Sequence, residues 1–202
     1  MATIELITVD AADPAAADHF YSTAFDLGSR VRARASDDPA GGFSGFTLSL
    51  VVAQPADARS LIDAAVEGGG TALKPAARSL WGYGGVVRAP DGTIVTIASS
   101  SKKDSGPATR RIDEIVLQLG VADVAASRAF YQERGVGVAK SYGRRYVELD
   151  TGPITVTLNK RAALAKTAGV SPEGKGPSPV RITSDVGEFT DPDGFRWEAG
   201  SG

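Results

Sequence analysis

Alternating apolar residues open the chain and then give way to a helical spacing. In the segment IELITVDA, Ile7, Val9 and Ala11 fall on one face of an extended strand, because successive strand side chains point to opposite sides. Asp13 followed by Pro14 is typical of a helix start, since the carboxylate accepts backbone N–H groups and proline suits the first helical position. An apolar stripe at helical spacing follows, at Ala17, Phe20, Tyr21 and Ala24. The pattern predicts a strand and then a helix that lies across the strand's apolar face.

The same pattern returns 110 positions further along the chain. Leu117, Leu119 and Val121 alternate as the first strand does, and the motifs A-D and F-Y follow at the same spacing. The paired positions are Ala12 and Ala122, Asp13 and Asp123, Phe20 and Phe130, and Tyr21 and Tyr131. Each copy ends with P-D-G, at 90–92 and 192–194, before a short strand. Such self-similarity indicates a duplicated structural unit.

Further elements are predicted between these landmarks. A helix over roughly 56–67 buries Leu61 and Ile62 and is stopped by three glycines from Gly68 onward. Strands are predicted near 45–53, 84–89, 94–98, 145–150, 154–158, 180–183 and 195–199. This order predicts an α+β fold in which helices cover one side of each sheet. The opposite, concave side is then free to hold a ligand.

A polar stretch divides the two copies. The segment SSSKKDSGPATR, at 99–110, has no periodicity and carries Gly and Pro, which is the composition of an exposed linker. We therefore predict a first domain at 1–99, a linker at 100–110 and a second domain at 111–202.

Composition excludes several classes of function. The chain has 202 residues, of which 42% are hydrophobic and 23% charged, which is typical of folded soluble domains. Its net charge is −2 and its Lys and Arg residues are scattered, so we expect no nucleic-acid partner. Without cysteine there are no disulfides, thiolate metal sites or cysteine nucleophiles. No segment approaches the ~20 apolar residues of a membrane helix, so we expect no membrane partner and a cytoplasmic location.

The repeated strand, A-D, F-Y helix and terminal P-D-G strand resemble the vicinal oxygen chelate superfamily, which includes glyoxalase I, extradiol dioxygenases and bleomycin-resistance proteins. The motifs span nearly the whole chain, and their ordered recurrence makes the resemblance specific. It implies tandem βαβββ modules that form two glyoxalase-like domains with cupped mixed sheets. In this group a divalent metal often lies at the centre of the cup.

The metal-binding positions implied by this resemblance have mostly lost their ligands. The first-strand positions are Leu6 and Val116, whose side chains bind no metal, and the last-strand positions are Thr96 and Glu198. The single histidine, His19, lies in the first predicted helix. A divalent ion usually needs three or more protein ligands. We therefore expect no metal site and no cofactor, with a divalent metal as the less favoured alternative.

Glu198 is the candidate catalytic residue. By alternation Arg196 and Glu198 lie on the concave face of the last strand, and Glu114 and Gln118 point the same way from the first strand of that half. Two neighbouring carboxylates can act as general acid and base. Arg196, Glu114 and Gln118 are candidate ligand-binding residues, and the alternative is that these side chains are solvated or paired strand residues.

Aromatic residues near predicted loops supply the other candidates for ligand binding. Trp81 and Tyr83 lie among glycines in SLWGYGG, where a ring can project over a cavity and stack on a flat ligand. Tyr146 belongs to the turn segment SYGRRY, which could bind an anionic or aromatic group. Packing as loop anchors, or simple surface exposure, is the alternative for each.

The leading functional hypothesis is a metal-independent binding protein for aromatic small molecules or natural products, as in the drug-sequestering, resistance-type branch of the superfamily. The alternative is an enzyme of the lyase, isomerase or dioxygenase-like kind that uses Glu198 as acid, base or residual metal ligand. A third class is an interaction protein whose cups serve as dimer surfaces. We expect a small-molecule partner, a monomer or homodimer, and a bacterial source, since the Ala, Gly, Arg and Val content suggests a GC-rich genome.

Overall fold

A strand and a helix begin the chain, as the apolar pattern predicts. The computed structural model describes residues 2–37, 41–80, 82–175 and 178–200. The N-terminal half consists of β1 (Ile4–Ala11), α1 (Pro14–Phe25), β2 (Val31–Ala35), β3 (Gly41–Gly42), β4 (Phe46–Val51), α2 (Pro55–Glu67), β5 (Thr71–Ser79), β6 (Gly82–Arg88) and β7 (Ile94–Ser99). The C-terminal half consists of β8 (Glu114–Val121), α3 (Val124–Glu133), β9 (Gly137–Ser141), β10 (Tyr146–Asp150), β11 (Ile154–Lys160), α4 (Arg161–Ala168), β12 (Gly174–Lys175), β13 (Val180–Ser184), β14 (Phe189–Thr190) and β15 (Arg196–Ala199).

The strands form two large mixed sheets, and each sheet takes strands from both halves of the chain. An eight-stranded sheet has the order β5-β6-β7-β4-β8-β11-β10-β9, and a five-stranded sheet has the order β14-β15-β13-β1-β2. The halves join through two antiparallel pairs, β4 with β8 and β1 with β13. The short β3 and β12 also pair across the halves. The predicted α+β class is correct, but neither sheet belongs to one sequence half.

The two sheets differ in completeness. The eight-stranded sheet consists of two whole βαβββ units, which are β4-α2-β5-β6-β7 and β8-α3-β9-β10-β11. The five-stranded sheet consists of the shorter runs β1-α1-β2 and β13-β14-β15. Each half of the sequence therefore supplies one whole unit and one reduced unit.

The repeated motifs tie the helices to the turns before the last strands. Asp13 and Asp123 cap α1 and α3 by accepting hydrogen bonds from backbone N–H groups of the first turn. The buried hydroxyl of Tyr21 donates to Asp91 of the first P-D-G at 2.8 Å. In the second copy Tyr131 donates to Asp191 at 2.7 Å, two residues before the Asp of the second P-D-G. The motifs thus stabilise the packing of a helix from one unit against the turn of the next.

One continuous apolar core lies between the sheets and the helices. Its members include Ile7 and Ile182 from the five-stranded sheet and Leu48 and Leu117 from the eight-stranded sheet, all fully buried. The predicted stripe on α1 is buried as well. Leu6 and Val116 lie on the opposite faces of β1 and β8, as alternation requires. None of the helices in the described part of the chain is long and apolar enough to span a membrane.

The predicted linker is mostly exposed but is held against the start of α2. Gln54 accepts hydrogen bonds from Ser105 and Gly106 and donates to the Pro107 carbonyl at 3.0 Å. Asp57 accepts from the backbone N–H groups of Thr109 and Arg110. Desolvation raises the pKa of Asp57, but these hydrogen bonds outweigh it, so the pKa lies below its ordinary value.

Several elements are absent from the sequence prediction. They are the strands β2, β5 and β9, the two-residue strands, and the helix α4. The edge strands β2, β5 and β9 are partly or largely exposed, so they lack the run of buried residues that reveals a central strand. The segment RAALAKTA of α4 is short and follows β11 without a capping side chain, so no start signal marks it.

Replacing Tyr131 with Phe should lower the free energy of unfolding by about 1–3 kcal/mol, because it leaves buried polar groups without partners. The hydroxyl donates to Asp191 and also accepts from the indole N–H of Trp197 at 3.2 Å. Tyr21→Phe should also destabilise the protein, since the buried Tyr21 hydroxyl donates to Asp91. Tyr142→Phe, at a side chain that is 68% exposed, is the matched control. Urea denaturation measures all three, and equal stability of Y131F and Y142F would contradict the assignment.

Asp57→Asn should destabilise the protein at pH 7 by about 1–3 kcal/mol, because the charged acceptor of the linker N–H groups is lost. Since the pKa of Asp57 is lowered in the folded state, its contribution is present at neutral pH and is lost as the pH falls below about 4. The difference between wild type and D57N should therefore shrink between pH 5 and pH 3. Asp63→Asn, an exposed change on the same helix, should show no such dependence. A constant difference across this pH range would refute the role of the charge.

Candidate functional site

The exposed face of the five-stranded sheet carries a transverse row of hydrogen-bond donors. Strand register places Thr190, Arg196, Arg181, Thr8 and Arg32 opposite one another, one residue from each strand. The neighbouring positions on this face include Glu198, Thr183 and Leu6 in one row. We call this surface the arginine face. Along each strand these residues alternate with core-facing residues, such as Ile182 and Trp197, which are buried.

A cavity of about 520 Å³ opens on the arginine face at the β13-β15-β14 end. Its lining consists of Arg181, Glu188, Phe189, Thr190, Arg196, Trp197 and Glu198. A volume of several hundred Å³ suits a small organic molecule. The charged side chains of the lining lie on the arginine face, whereas the half-buried Phe189 is in register with Trp197 and packs on it at the core side, with ring centroids 5.3 Å apart.

Arg181 is the most deeply placed charge in the cavity. Its side chain is 14% exposed, and its Nη1 donates to Glu198 Oε1 at 3.1 Å. Its Nε is buried and has no hydrogen-bond partner among the described residues. Glu198 is 42% exposed and faces the cavity, so its second carboxylate oxygen is accessible. Arg196, on the next strand, is exposed and makes no ion pair with any described residue.

A second polar surface lies on the eight-stranded sheet, on the side away from the core. Register brings Glu114, Gln118 and Tyr146 to this side, on β8 and β10. Gln118 accepts from Thr47 at 2.9 Å, and Glu114 accepts from Thr155 at 2.7 Å. We call this surface, with Thr47 and Thr155 as its donors, the threonine face.

Tyr146 on the threonine face also has its partners within the protein. Its hydroxyl donates to Glu148 at 3.1 Å, and Glu148 is paired with Lys140 at 3.1 Å. Partial burial and then the Glu148 charge raise the pKa of Tyr146 well above its ordinary value. The candidate side chains of the threonine face thus have hydrogen-bond partners within the protein, whereas Arg196 on the arginine face makes no ion pair with a described residue.

Helix α4 covers the other end of the same side of the eight-stranded sheet. Leu164, Ala165 and Ala168 of α4 pack on Val86 and Ile94, which point away from the main core. The amine of Lys74 on β5 donates to the last carbonyls of α4, at 2.6 Å from the Thr167 oxygen. This end of the predicted cup is therefore filled by the chain itself.

The predicted site residues do not form one site. Glu198 and Arg196 lie on the arginine face, whereas Glu114, Gln118 and Tyr146 lie on the threonine face of the other sheet. The carboxylate pair of Glu198 and Glu114 suggested by the sequence is consequently not formed. The reason is that β8 pairs with β4 and β11, while β15 pairs with β13 in the other sheet.

Of the two aromatic candidates near the glycines, Trp81 and Tyr83, the structure describes Tyr83. Tyr83 lies in β6 instead of a loop, packs against the main core and has the guanidinium of Arg59 5.5 Å from its ring centroid. It therefore faces α2 and does not line the cavity on the arginine face. Trp81 lies outside the described residues.

Arg181 is the functional candidate that the sequence prediction missed. The signal was present, because VRITS alternates Val180 and Ile182 on the core side and leaves Arg181 on the other. What the sequence could not supply is the parallel pairing of β13 with β15, which places Arg181 beside Arg196.

The positions that would hold a chelated metal do not form a ligand set. On the five-stranded sheet, Leu6, Thr183 and Glu198 share one row, which offers a single carboxylate. On the eight-stranded sheet the matching row contains Ser49, Thr96, Val116 and Thr155. In residues 2–37, 41–80, 82–175 and 178–200, no group of three His, Asp or Glu side chains could hold a metal ion. The donor set does not fit the chelate site of the resembled family.

Comparison with known proteins identifies the fold. Neither a protein-family model nor a curated protein matches the sequence. Glyoxalase I from Zea mays is similar in structure, with a TM-score of 0.65 at 15% identity over 98% of this chain and 91% of that one. A putative dioxygenase from Bacillus subtilis subsp. subtilis str. 168 has a TM-score of 0.53 at 13% identity, over 90% of this chain and 69% of that one. The chain therefore has a two-domain glyoxalase-like fold, which is the architecture that the sequence predicted.

Adding Mn²⁺, Ni²⁺ or Zn²⁺ to EDTA-treated protein should leave the thermal unfolding midpoint unchanged, because the donor set is too small to bind these ions firmly. A specific site would add roughly 2.7 kcal/mol of stability at a hundredfold excess over Kd. Differential scanning calorimetry measures the midpoint, and Glu198→Ala serves as the control without the one carboxylate. A midpoint that rises with metal in wild type but not in E198A would contradict this prediction.

Proposed function

We propose that the chain is a small-molecule-binding protein of the vicinal oxygen chelate type that binds its ligand on the arginine face without a chelated metal. The cavity on that face is the observation that supports this most directly. It combines a suitable volume with guanidinium groups that are not fully paired. This function corresponds to the drug-sequestering, resistance-type branch of the superfamily.

The competing surfaces support binding less well. On the threonine face, Glu114, Gln118 and Tyr146 have partners within the protein, so a ligand would have to displace existing hydrogen bonds. The β6-β7 end of the same sheet side is covered by α4. On the arginine face, Arg196 is exposed and makes no ion pair with a described residue, so a ligand can contact it without displacing a partner.

Catalysis at the same cavity is the second candidate function. The observation that favours it is Glu198, which lines the cavity and keeps one oxygen free of hydrogen bonds to described residues. A carboxylate in this position could accept a proton from a bound molecule. If a ligand is converted, Glu198→Gln should abolish turnover and retain binding, whereas full turnover of E198Q would exclude Glu198 as the base.

A panel of aromatic natural products should contain compounds that raise the thermal midpoint and change the fluorescence of Trp197, which borders the cavity. The shift should persist in EDTA, since no metal takes part. Trp81→Phe removes the other tryptophan of the two in the chain, so that the signal reports Trp197 alone. A panel without any thermal or fluorescence response would remove the support for a binding function.

A further inference from the structure

The arginine face offers a chemically uniform row of donors. Thr190, Arg196, Arg181, Thr8 and Arg32 stand in register across all five strands of the sheet. Adjacent strands lie about 4.8 Å apart, so the polar ends of these side chains are neighbours on one surface. Guanidinium and hydroxyl groups can all donate hydrogen bonds, and no carboxylate interrupts the row.

The charges of this row are only partly compensated inside the protein. Arg32 has a distant contact with Asp18, at 3.9 Å, and Arg181 is paired with Glu198 through one nitrogen. The Nε of Arg181 is buried without an acceptor among the described residues, although buried donors in folded proteins are nearly always satisfied. Arg196 beside it is exposed and forms no ion pair there. Of these two adjacent guanidinium groups, only that of Arg181 has a carboxylate partner among the described residues.

We propose that Arg181 and Arg196 bind the oxyanion group of a small ligand, a carboxylate or a phosphate, in the cavity on the arginine face. This inference rests on the proposed binding function and names the chemical class of its ligand. The planar guanidinium matches both oxyanions through paired N–H···O bonds, and Thr190 adds a hydroxyl donor at the cavity wall.

The acidic residues of the cavity restrict the ligand to one compact anion. Glu198 lies one row away and is held by Arg181, and Glu188 lies just before β14 at the cavity wall. An extended polyanion would bring its further charges close to these carboxylates. A single carboxylate or phosphate can contact the row and avoid both.

Three probes with the same ring test the inference by isothermal titration at constant ionic strength: benzoate, phenyl phosphate and the neutral benzamide. At least one of the two anions should bind about tenfold more tightly than benzamide, a difference of roughly 1.4 kcal/mol. The stronger of the two anions identifies the oxyanion as a carboxylate or a phosphate. Binding should change the fluorescence of Trp197 in the W81F background.

Arg196→Gln should weaken binding of the preferred anion about tenfold or more and leave benzamide unaffected. Arg196 is exposed, so this variant should fold normally, and Arg181→Gln extends the test if its thermal midpoint stays near wild type. Arg111→Gln is the matched control, because Arg111 is an exposed arginine that pairs with Asp113 outside the cavity.

The outcomes separate this inference from the proposed function. Equal binding of benzoate, phenyl phosphate and benzamide, or equal weakening by R196Q and R111Q, would overturn the oxyanion site. The binding function would survive that result if the natural-product panel still gave a shift at Trp197. Absence of binding by both the anions and the panel would overturn both.

Discussion

Antiparallel pairing of β4 with β8 is the contact on which the rest of the structure depends. It joins the two whole βαβββ units into one eight-stranded sheet and places fully buried Leu48 and Leu117 opposite each other. Neither half could bury these side chains and satisfy the backbone groups of its central strand without the other. In the five-stranded sheet, β1 of the first half pairs with β13 of the second half. Both sheets therefore contain a junction between the two halves of the sequence. The unit of folding is therefore the whole chain, even though the sequence is a visible duplication.

The fold was largely predictable because its signals are local. Alternation, the capping residues Asp13 and Asp123, and the P-D-G turns predicted the central strands, the first three helices and the order of these elements. The whole-length likeness to glyoxalase I confirms that architecture. The exposed edge strands and α4 were missed, because a half-solvated strand and a short uncapped helix leave weak patterns in a sequence.

The candidate site was predictable only in part, because it depends on pairing between distant strands. Alternation placed Arg196 and Glu198 on the outer face of β15, and the register agrees. The same reasoning joined Glu198 to Glu114, since it assumed that strands of the same sequence half form one cup. Strand exchange between the halves separates them and brings Arg181 to Glu198 instead. Periodicity reports the face on which a side chain lies, and only the sheet order reports its neighbours.

The unequal completeness of the two sheets has a consequence for how such a protein can diverge. The eight-stranded sheet keeps both whole units and much of the buried core, so it can supply most of the stability of the molecule. The five-stranded sheet has fewer strands and a polar outer surface, so substitutions on that surface need not disturb the buried core. The outer surface of the five-stranded sheet is therefore the part of the molecule where side chains can change at a small cost in stability.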